Sequence, residues 1–376
     1  MKIFYLTELL SPYRVEWMNM LCDGNEVLAC YMTAGEKTRD DRWLADKKPR
    51  FKTKQVKMSS ALRGMPSREF LSEVKSSDFD IYLIDGYSSP TKLKVIRALL
   101  RRNKRVFINI DGIDVWRQKS RSDVIKDHIK KRVYRSGACF LCGSRIAADS
   151  VKKGGADEKR VFVHPFTSMH TEDIISYEQK AELQRACKQK LDRENHKLAL
   201  AVGRFIPLKR YDCLIRAWKD MPADRFLYII GGGTERKNYE ALIKELGVKN
   251  IELIDFMLPK QLEDYFRAAD LFVHTSETET WGLVFNEAMA SACPVIATNR
   301  CVGAVELVTD GEEGYLVDVG DEKALREAME KILGDDELRQ KMMKNAAERI
   351  QGYTYENLAA QHLKIFRDAI AETTQH

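Results

Sequence analysis

The stretch WGLVFNEAMASACPVIATN, Trp281–Asn299, combines a short helical pattern with a buried strand and contains a single charged residue, Glu287. An ionised carboxylate in such apolar surroundings costs several kcal/mol unless hydrogen-bond donors satisfy it. Eight residues upstream, Glu279 lies in the polar turn SETET, and Gly282 opens the helical segment between the two acids. A helix N-terminus attracts phosphate through its free N–H groups and its partial positive charge. Two carboxylates beside such a terminus suit a ligand with a central diphosphate and hydroxyls at both ends, which is the layout of a nucleotide sugar.

Short apolar runs alternate with helical patterns along the whole chain. In the first part these runs are KIFYLT (2–7), EVLACYM (26–32), DIYLID (80–85), RVFINI (105–110), ACFLC (138–142) and RVFVH (160–164). After a charged stretch the pattern restarts with LALAVG (198–203), RFLYIIG (225–231), NIELID (250–255), DLFVHT (270–275) and PVIAT (294–298). Strands that alternate with helices predict parallel sheets, so we expect an α/β protein with two doubly wound, Rossmann-like domains that face each other across a cleft.

The restart of the pattern sets the expected domain boundaries. We predict an N-terminal domain over residues 1–170, an interdomain linker over 171–196 and a C-terminal domain over 197–355. The last helical segment, 356–374, is expected to return to the N-terminal domain. A length of 376 residues is consistent with two domains, each with its own core. Because ligands of doubly wound sheets bind beyond the carboxyl ends of the strands, motifs that follow strands are the candidates for a site.

Composition and the N-terminus exclude several classes of protein. The chain is 44% hydrophobic and 31% charged, which is ordinary for a globular protein. Glu8 interrupts the N-terminal apolar stretch, so we expect no signal peptide, and no apolar run reaches the roughly 18 residues of a membrane-spanning helix. Cys139 and Cys142 form a lone CxxC pair, which is half of a zinc site, so we interpret them as thiols on a buried strand and predict no metal site. We therefore expect a cytoplasmic protein.

The net charge of +6 hides an asymmetry between the two halves of the chain. Residues 1–160 hold 34 Lys and Arg against 20 Asp and Glu, a balance of +14, and the rest of the chain has a balance of −8. A basic N-terminal half predicts an anionic partner, but no aromatic-basic platform favours nucleic acid. The segment KLKVIRALLRRNKR (92–105) places Arg97, Arg101 and Arg102 mostly away from an apolar helix face. This segment is either an ordinary surface helix or a docking surface for an anionic bilayer.

Two strand-to-helix turns in the second half carry residues suited to phosphate. AVGRFIPLKR places Arg204 directly after a strand and Lys209 at the start of the next helix, where two cations can clamp a diphosphate. The alternative is a solvated basic turn. IIGGGTERK (229–237) is a glycine-rich turn that fits neither the P-loop spacing nor GxGxxG. Gly232 within it is either part of a tight turn or a point where a phosphate or ribose approaches the backbone.

Taken in order, these segments resemble the retaining glycosyltransferases of family 4, which have the GT-B fold. The matching words are VGRFIPLKRYDCLIRAW, IIGGGTERKNYEALIKELGVKNIELIDFM, LEDYFRAADLFVHTSETETWGLVFNEAMASACPVIAT and GYLVDVGD, between Val202 and Asp321. The pair Glu279 and Glu287, eight positions apart after the strand AADLFVHTS, is the most specific part of the resemblance. The word SPYR (11–14) is similar to one found in capsule-type and O-antigen-type enzymes of the family.

The resemblance implies a role for each of the residues in these words. Glu279 is expected to contact hydroxyls of the donor sugar, and Glu287 is expected to contact the ribose of the nucleotide. Arg204 and Lys209 match the pair that holds the diphosphate. The backbone around Gly282, Leu283 and Val284 is expected to contact the distal phosphate. The backbone near Phe256 is expected to contact the base.

The sequence departs from the family at two positions. Arg210 stands where the family often has glycine. In NIDGIDVW, Asp111 stands where many members have a histidine that contacts the donor sugar. Asp111 is therefore either a sugar ligand in place of that histidine or a residue of an Asp-Gly turn. Arg14 of SPYR follows the first strand, and we expect it to meet the donor or an acceptor phosphate.

By the same resemblance, the N-terminal domain is expected to bind the acceptor and the C-terminal domain a nucleotide sugar, which in this family is most often a UDP-sugar. The expected reaction is metal-independent transfer, with retention, to a glycan or lipid-linked oligosaccharide in cell-surface polysaccharide synthesis. Because such acceptors lie at a membrane, we expect a peripheral location on the inner face of the plasma membrane through the basic N-terminal domain. Two alternatives stay open: another GT-B enzyme such as a sugar-nucleotide epimerase, and a non-catalytic membrane-associated binding protein.

Overall fold

The computed structural model describes residues 1–33, 47–60, 64–113, 115–116 and 123–374. It consists of two compact units, one formed by Met1–Thr167 with Thr354–His376 and the other by Ser168–Tyr353. Each unit has its own parallel sheet and its own core. None of the helices in the described ranges is long and apolar enough to cross a bilayer.

Within the described residues, the first unit contains a seven-stranded parallel sheet in the order β3-β2-β1-β4-β5-β6-β7. Its strands are β1 Lys2–Thr7, β2 Glu26–Tyr31, β3 Lys52–Gln55, β4 Ile81–Asp85, β5 Val106–Ile110, β6 Cys139–Cys142 and β7 Val161–Val163. Its helices are α1 Pro12–Leu21, α2 Arg68–Ser76, α3 Pro90–Leu100, α4 Asp123–Tyr134, α5 Arg145–Lys153 and α14 Tyr355–Thr374. The six runs that the sequence marks as strands all form strands. The sequence does not predict β3, because its residues KTKQ are polar and exposed at the edge of the sheet.

The C-terminal helix α14 covers one face of the first sheet. The ring of Phe366 lies 4.9 Å from the ring of Phe107 on β5, and the ring of His362 lies 5.0 Å from that of Trp17 on α1. These side chains are buried, and burying aromatic surface of this size is a major source of folding free energy. The expected return of the last helix to the first domain is thus confirmed.

In the second unit, the described residues form a six-stranded parallel sheet in the order β10-β9-β8-β11-β12-β13. Its strands are β8 Lys197–Val202, β9 Arg225–Ile230, β10 Ile251–Ile254, β11 Leu271–His274, β12 Val295–Thr298 and β13 Gly314–Val317. Its helices are α6 Tyr177–Lys190, α7 Tyr211–Trp218, α8 Arg236–Leu246, α9 Pro259–Ala268, α10 Val284–Ala290, α11 Val302–Leu307, α12 Glu322–Gly334 and α13 Asp336–Ile350. The five predicted strands are all present. The sequence does not predict β13 as a strand, because its residues GYLV are only partly buried and form a short apolar run beside a glycine.

The segment 171–196, which we predict as a linker, lies in the second unit and contains α6. Lys180 on α6 is buried and donates hydrogen bonds of 2.9 Å to the carbonyl oxygens of Arg267 and Ala269, at the end of α9. Lys188 forms an ion pair of 2.6 Å with the buried Asp270. A cation at a helix C-terminus satisfies carbonyl groups that have no partner within the helix. The charged residues that suggest a linker therefore attach α6 to this unit.

Candidate functional site

Most of the predicted donor-site residues follow the carboxyl ends of four neighbouring strands in the second unit. The sheet order places β8 beside β11, and the chain continues outward in opposite directions from these two strands. This is the switch point at which ligands bind in doubly wound sheets. Arg204 follows β8, Gly232 follows β9, Phe256 follows β10 and His274 ends β11. These residues therefore lie along one edge of the sheet.

Lys209 and Glu279 form an ion pair at this edge. The Nζ atom of Lys209 lies 2.5 Å from Oε2 of Glu279 and 3.5 Å from Nε2 of His274. The side chain of Lys209 is 10% exposed and that of Glu279 is 23% exposed, so water screens the pair only partly. His274 is buried, and Oγ of Ser276 lies 2.8 Å from its Nε2. The sequence singles out both charged residues as ligand contacts, and the structure adds that they contact each other.

The protonation states of this cluster follow from burial and charge. Burial lowers the pKa of His274 to about 4, and the ammonium of Lys209 acts in the same direction. His274 is therefore neutral at pH 7, and its Nε2 can accept a hydrogen bond from Ser276. Burial raises the pKa of Glu279, but the neighbouring His274 and the charge of Lys209 outweigh burial and lower this pKa to about 2. Because Nε2 of His274 lies 3.8 Å from Oε2 of Glu279, beyond hydrogen-bond length, we attribute the low pKa mainly to Lys209.

Hydrogen bonds hold the loops that carry this ion pair. The hydroxyl of Thr275 donates to the carbonyl oxygen of Lys209 at 2.9 Å. The N–H of Glu279 donates to the carbonyl of Arg300 at 3.1 Å, and the carbonyl of Glu279 accepts from the N–H of Val302 at 2.9 Å. Groups that are fixed before a ligand arrives need no ordering when it binds. The pair is thus part of a preorganised edge.

The glycine-rich turn allows two loops to approach closely. A Cβ atom on Gly231 would lie 1.9 Å from the carbonyl oxygen of Gly203, and one on Gly233 would lie 2.3 Å from that of Phe205. The corresponding position on Gly232 has no heavy atom within 4 Å. The first and third glycines are therefore required by packing, whereas Gly232 borders open space that a ligand can enter.

Gly282 and Arg210 adopt the left-handed backbone conformation. Gly282 has φ of 87°, and a Cβ atom there would lie 2.8 Å from the ring of Phe285 and 3.2 Å from Cγ of Glu279. Arg210 has φ of 49° and ψ of 39°, a conformation that glycine adopts without steric cost. This backbone accounts for the glycine that the family often has at the position of Arg210.

Arg204 and Phe256 are exposed at the same edge. Arg204 is exposed, and no carboxylate within the described ranges forms an ion pair with it. The ring of Phe256 is 38% exposed, although aromatic rings of this size are usually buried. An unneutralised guanidinium and an exposed ring are groups that gain free energy when an anion and a planar base cover them.

Glu287 lies on α10, a helix of seven residues that begins at Val284 after Leu283. Burial raises the pKa of Glu287 to about 7, and the hydroxyl of Ser168, 3.5 Å from Oε1, opposes this increase weakly. Within the described residues no cation pairs with the carboxyl group. The acid is therefore poorly satisfied without a ligand, as the apolar sequence around it predicts.

Asp111 and Arg14, the predicted site residues of the first unit, contact each other. The Nη2 atom of Arg14 on α1 lies 2.5 Å from Oδ2 of Asp111, which follows β5. The Nη1 atom of Arg14 lies 2.7 Å from Oδ1 of Asp85, the last residue of β4. The strands β1, β4 and β5 are neighbours, so these side chains meet at the carboxyl edge of the first sheet. Arg14 is engaged by two carboxylates, which sets it apart from the unpaired Arg204.

The sequence does not single out His274, Ser276 or Asp85 as site residues. His274 ends the apolar run LFVH and Asp85 ends IYLID, so each is a polar residue at the carboxyl end of a buried strand. That position is a usable signal, because the carboxyl ends of parallel strands border the ligand crevice. Ser276 lies in the polar turn SETET and Ser168 in the loop after β7, so neither carries a comparable signal.

Comparison with known proteins finds a family similarity within the second unit. Residues 184–349 match the sequence profile of the family described as "Glycosyl transferases group 1". These residues therefore resemble a group 1 glycosyl transferase domain. This domain begins within α6 and ends within α13, so it contains the whole second sheet and the pair Lys209–Glu279. It covers less than half of the chain.

Curated glycosyltransferases match part of the chain. The D-inositol 3-phosphate glycosyltransferase of Corynebacterium glutamicum is 38% identical over 185 residues, which are 46% of this chain and 44% of that protein. The lipopolysaccharide core biosynthesis glycosyltransferase LpsE of Rhizobium meliloti is 28% identical over 221 residues, which are 58% of this chain and 61% of that protein. The chain thus spans about half the length of the curated relatives that it matches.

A solved structure matches both units. The crystal structure of Anabaena Alr3699/HepE in complex with UDP superposes on this chain with a TM-score of 0.77 and 18% identity, covering 98% of this chain and 100% of the other. At this identity the likeness establishes the fold. The predicted GT-B architecture of two Rossmann-like domains is confirmed.

Proposed function

We propose that the chain is a retaining glycosyltransferase that moves a sugar from a nucleotide sugar, most simply a UDP-sugar, to a glycan or lipid-linked oligosaccharide. The observation that carries this proposal is the ion pair Lys209–Glu279, fixed at the switch point of a parallel sheet beside the unpaired Arg204. At this edge of the sheet, Glu279 suits the sugar hydroxyls, and Arg204 and Lys209 suit the diphosphate. The exposed ring of Phe256 suits the base of such a donor. The group 1 domain and the UDP complex of HepE support the same donor class.

In this proposal catalysis is electrostatic. Arg204 and Lys209 bind the diphosphate and stabilise the charge that develops when the bond between its terminal oxygen and the sugar breaks. Glu279 accepts hydrogen bonds from sugar hydroxyls and Glu287 accepts them from the ribose. The acceptor hydroxyl attacks the sugar on the face that the diphosphate leaves, so the configuration is retained, and its proton moves to a phosphate oxygen. No metal is required, because the two cations neutralise the leaving group.

Backbone groups of the second unit complete the proposed donor site, and we propose separate roles for the first unit. The N–H groups around Gly282, Leu283 and Val284 border the distal phosphate, and Gly232 borders open space on the same edge. Asp111 takes a hydroxyl of the donor sugar in place of the family's histidine. The first unit binds the acceptor. Capsule or O-antigen synthesis is the process we favour, and the similarity to LpsE, a lipopolysaccharide core biosynthesis glycosyltransferase, supports an acceptor of the cell surface.

A thermal-shift screen followed by product analysis tests this function. We expect UDP to raise the melting temperature more than GDP, ADP or CMP, because a ligand that binds the folded state stabilises it in proportion to its affinity. The matching UDP-sugar should then be consumed in the presence of an acceptor and give at most slow hydrolysis without one. Conversion of the sugar nucleotide without acceptor would instead indicate an epimerase. Binding without any transfer would indicate a non-catalytic binding protein.

We further propose that the first unit docks on an anionic membrane through the outer faces of α2 and α3. Between these helices lies a groove of about 320 Å³ that is lined by Arg68, Lys75 and Arg102 together with Leu71, Ser72 and Ser76. Nearby Lys54, Lys57 and Lys104 are each neutralised by a carboxylate, at 2.6, 2.7 and 3.2 Å. The three cations of the groove have no such partner in the described part of the unit. Their charge is therefore available to phosphate headgroups, and each exposed cation contributes about 1 kcal/mol at such a surface.

Reversing Arg102 of the groove to glutamate, together with the exposed Arg97 on α3 and Arg101 directly after it, is expected to release the protein from vesicles that contain anionic lipid. The change of six charge units converts attraction to the headgroups into repulsion. Co-sedimentation with liposomes measures the effect, and added salt should weaken the binding of the original chain. A control that reverses Lys237, Lys249 and Lys260 of the second unit has the same net charge and should stay bound. Unchanged sedimentation of the first variant would contradict membrane docking by this face.

A further inference from the structure

Arg14 is enclosed by acceptors at the carboxyl edge of the first sheet. Its Nη1 atom donates to Oη of Tyr5 at 2.8 Å and lies 2.7 Å from Oδ1 of Asp85, and its Nη2 atom lies 2.5 Å from Oδ2 of Asp111. Asp85 is held in turn by the hydroxyl of Thr7 at 2.8 Å. Both terminal nitrogens of the guanidinium are thus engaged, and the side chain is 11% exposed. The sequence suggests that Arg14 binds a phosphate. In the structure its guanidinium is instead placed to act on the neighbouring side chains.

Asp111 differs from Asp85 in its access to solvent. Its side chain is 22% exposed, whereas that of Asp85 is 10% exposed. One carboxylate oxygen of Asp111 accepts from Arg14, and the other accepts from Nδ2 of Asn109 at 2.5 Å. Each oxygen keeps a second lone pair. The carboxylate is thus fixed in orientation while part of it stays open to a ligand hydroxyl.

The charge balance around Asp111 depends on Arg14. Burial raises the pKa of Asp111, the charge of Arg14 opposes this increase, and the charge of Asp85 adds to it. Two tyrosines and two histidines that face this cluster are neutral at pH 7, because burial lowers the pKa of the histidines and raises that of the tyrosines: Tyr5, Tyr13, His164 and His362. Within the described residues, Arg14 is the cation whose charge opposes the increase in the pKa of Asp111.

We propose that Arg14 is a positioning residue, which holds the Asp111 carboxylate ionised and aimed so that it accepts a hydrogen bond from a sugar hydroxyl. This inference rests on the proposed function, since it assigns the hydroxyl to a glycosyl substrate. In this proposal Asp111 contacts the substrate, and Arg14 influences the substrate only through Asp111. The cluster of one cation and two anions carries a net negative charge, so it favours an uncharged hydroxyl over a phosphate at this point.

Two substitutions in the cluster are expected to shift the pH dependence of transfer in opposite directions. Arg14→Met removes the counterion, so the acid limb of kcat should move to higher pH by about one unit. Asp85→Asn removes the competing anion, so the acid limb should move to lower pH. Arg14→Lys restores the charge and should return the limb toward its original position. The rates are measured at saturating donor, where Glu287 is already engaged, so its own titration does not enter.

A readout that does not need turnover separates this inference from the proposed function. Carboxyl-carbon NMR, with the Asp111 signal assigned from the spectrum of Asp111→Asn, reports the titration of that group directly. We expect the same two opposite shifts there, and no shift in Arg50→Met, which removes an exposed arginine that pairs with Asp23 in the same unit. Unmoved or parallel shifts in the two variants would overturn the positioning role. Failure of the original chain to transfer any sugar would overturn the proposed function. The NMR titration would still test the effect of Arg14 on Asp111, because it does not depend on turnover.

Discussion

Replacing Arg204 and Lys209 together by alanine is expected to lower kcat/KM for sugar transfer by about a thousandfold or more, which corresponds to about 4 kcal/mol of transition-state stabilisation. The leaving diphosphate gains negative charge as its bond to the sugar breaks, and these two side chains are the cations at the switch point that can neutralise it. The side chain of Lys209 is 10% exposed, so its charge acts in surroundings that water screens weakly.

The single variant Arg204→Ala isolates this electrostatic contribution from structural damage. Arg204 is exposed and pairs with no carboxylate in the described ranges, so its removal leaves Lys209–Glu279 in place. We expect roughly a hundredfold loss of kcat/KM with an unchanged melting temperature. The double variant also leaves Glu279 without its partner, and a lower melting temperature is expected there.

A matched control for the double variant is Lys219→Ala with Lys249→Ala. These two lysines are exposed, precede β9 and β10, and therefore lie at the opposite, amino edge of the same sheet. The net charge changes by the same amount, so a general effect of charge on donor association would appear in both double variants. Near-normal transfer by the Arg204 and Lys209 variant, or an equal loss in the control, would refute the assignment of the diphosphate site.

The sequence predicts the elements of the sheets more completely than the contacts of the site. Buried parallel strands are continuous apolar runs such as DIYLID, which is why eleven runs could be marked, whereas the exposed edge strand KTKQ has no such pattern. Glu279 and Lys209 stand out as residue types after strands. Their direct contact does not, because it depends on how two loops separated by 70 positions fold back at one edge.

The first unit shows the same limit. Arg14 and Asp111 are 97 positions apart, and the sequence assigns each of them separately to a ligand. That they neutralise each other follows from the order of β1, β4 and β5 in the sheet, which periodicity alone does not reveal. Asp85 completes the cluster and passes unnoticed in the sequence, since a single Asp after an apolar run is also a common turn residue.

Glu287→Gln is expected to stabilise the protein while it weakens donor binding. Burial raises the pKa of this carboxyl group from 4.5 to about 7. One pKa unit corresponds to about 1.4 kcal/mol, so ionisation of Glu287 in the folded state lowers the free energy of unfolding by about 2 to 3 kcal/mol, allowing for its partial exposure. A neutral amide of the same shape removes this cost. The amide also lacks the negative charge of the carboxylate, which we propose accepts hydrogen bonds from two ribose hydroxyls. The KM for the donor should therefore increase about tenfold or more.

The pH dependence of this gain distinguishes the carboxyl group from ordinary repacking. Between pH 4.5 and pH 7 the unfolded chain releases a proton that the folded protein keeps, so stability falls as pH rises through this range and stays low above it. The melting temperature of Glu287→Gln should therefore exceed that of the original chain by several degrees at pH 8 and by clearly less at pH 5.5.

Glu279→Gln is the matched control, for which the expected change in melting temperature has the opposite sign. The pKa of Glu279 is lowered to about 2, so its charge stabilises the folded protein above pH 4.5 and the amide should lower the melting temperature at pH 8. A gain in Glu287→Gln that is equal at both pH values, or a loss at pH 8, would show that Glu287 is already satisfied by the protein and has no need of a ligand.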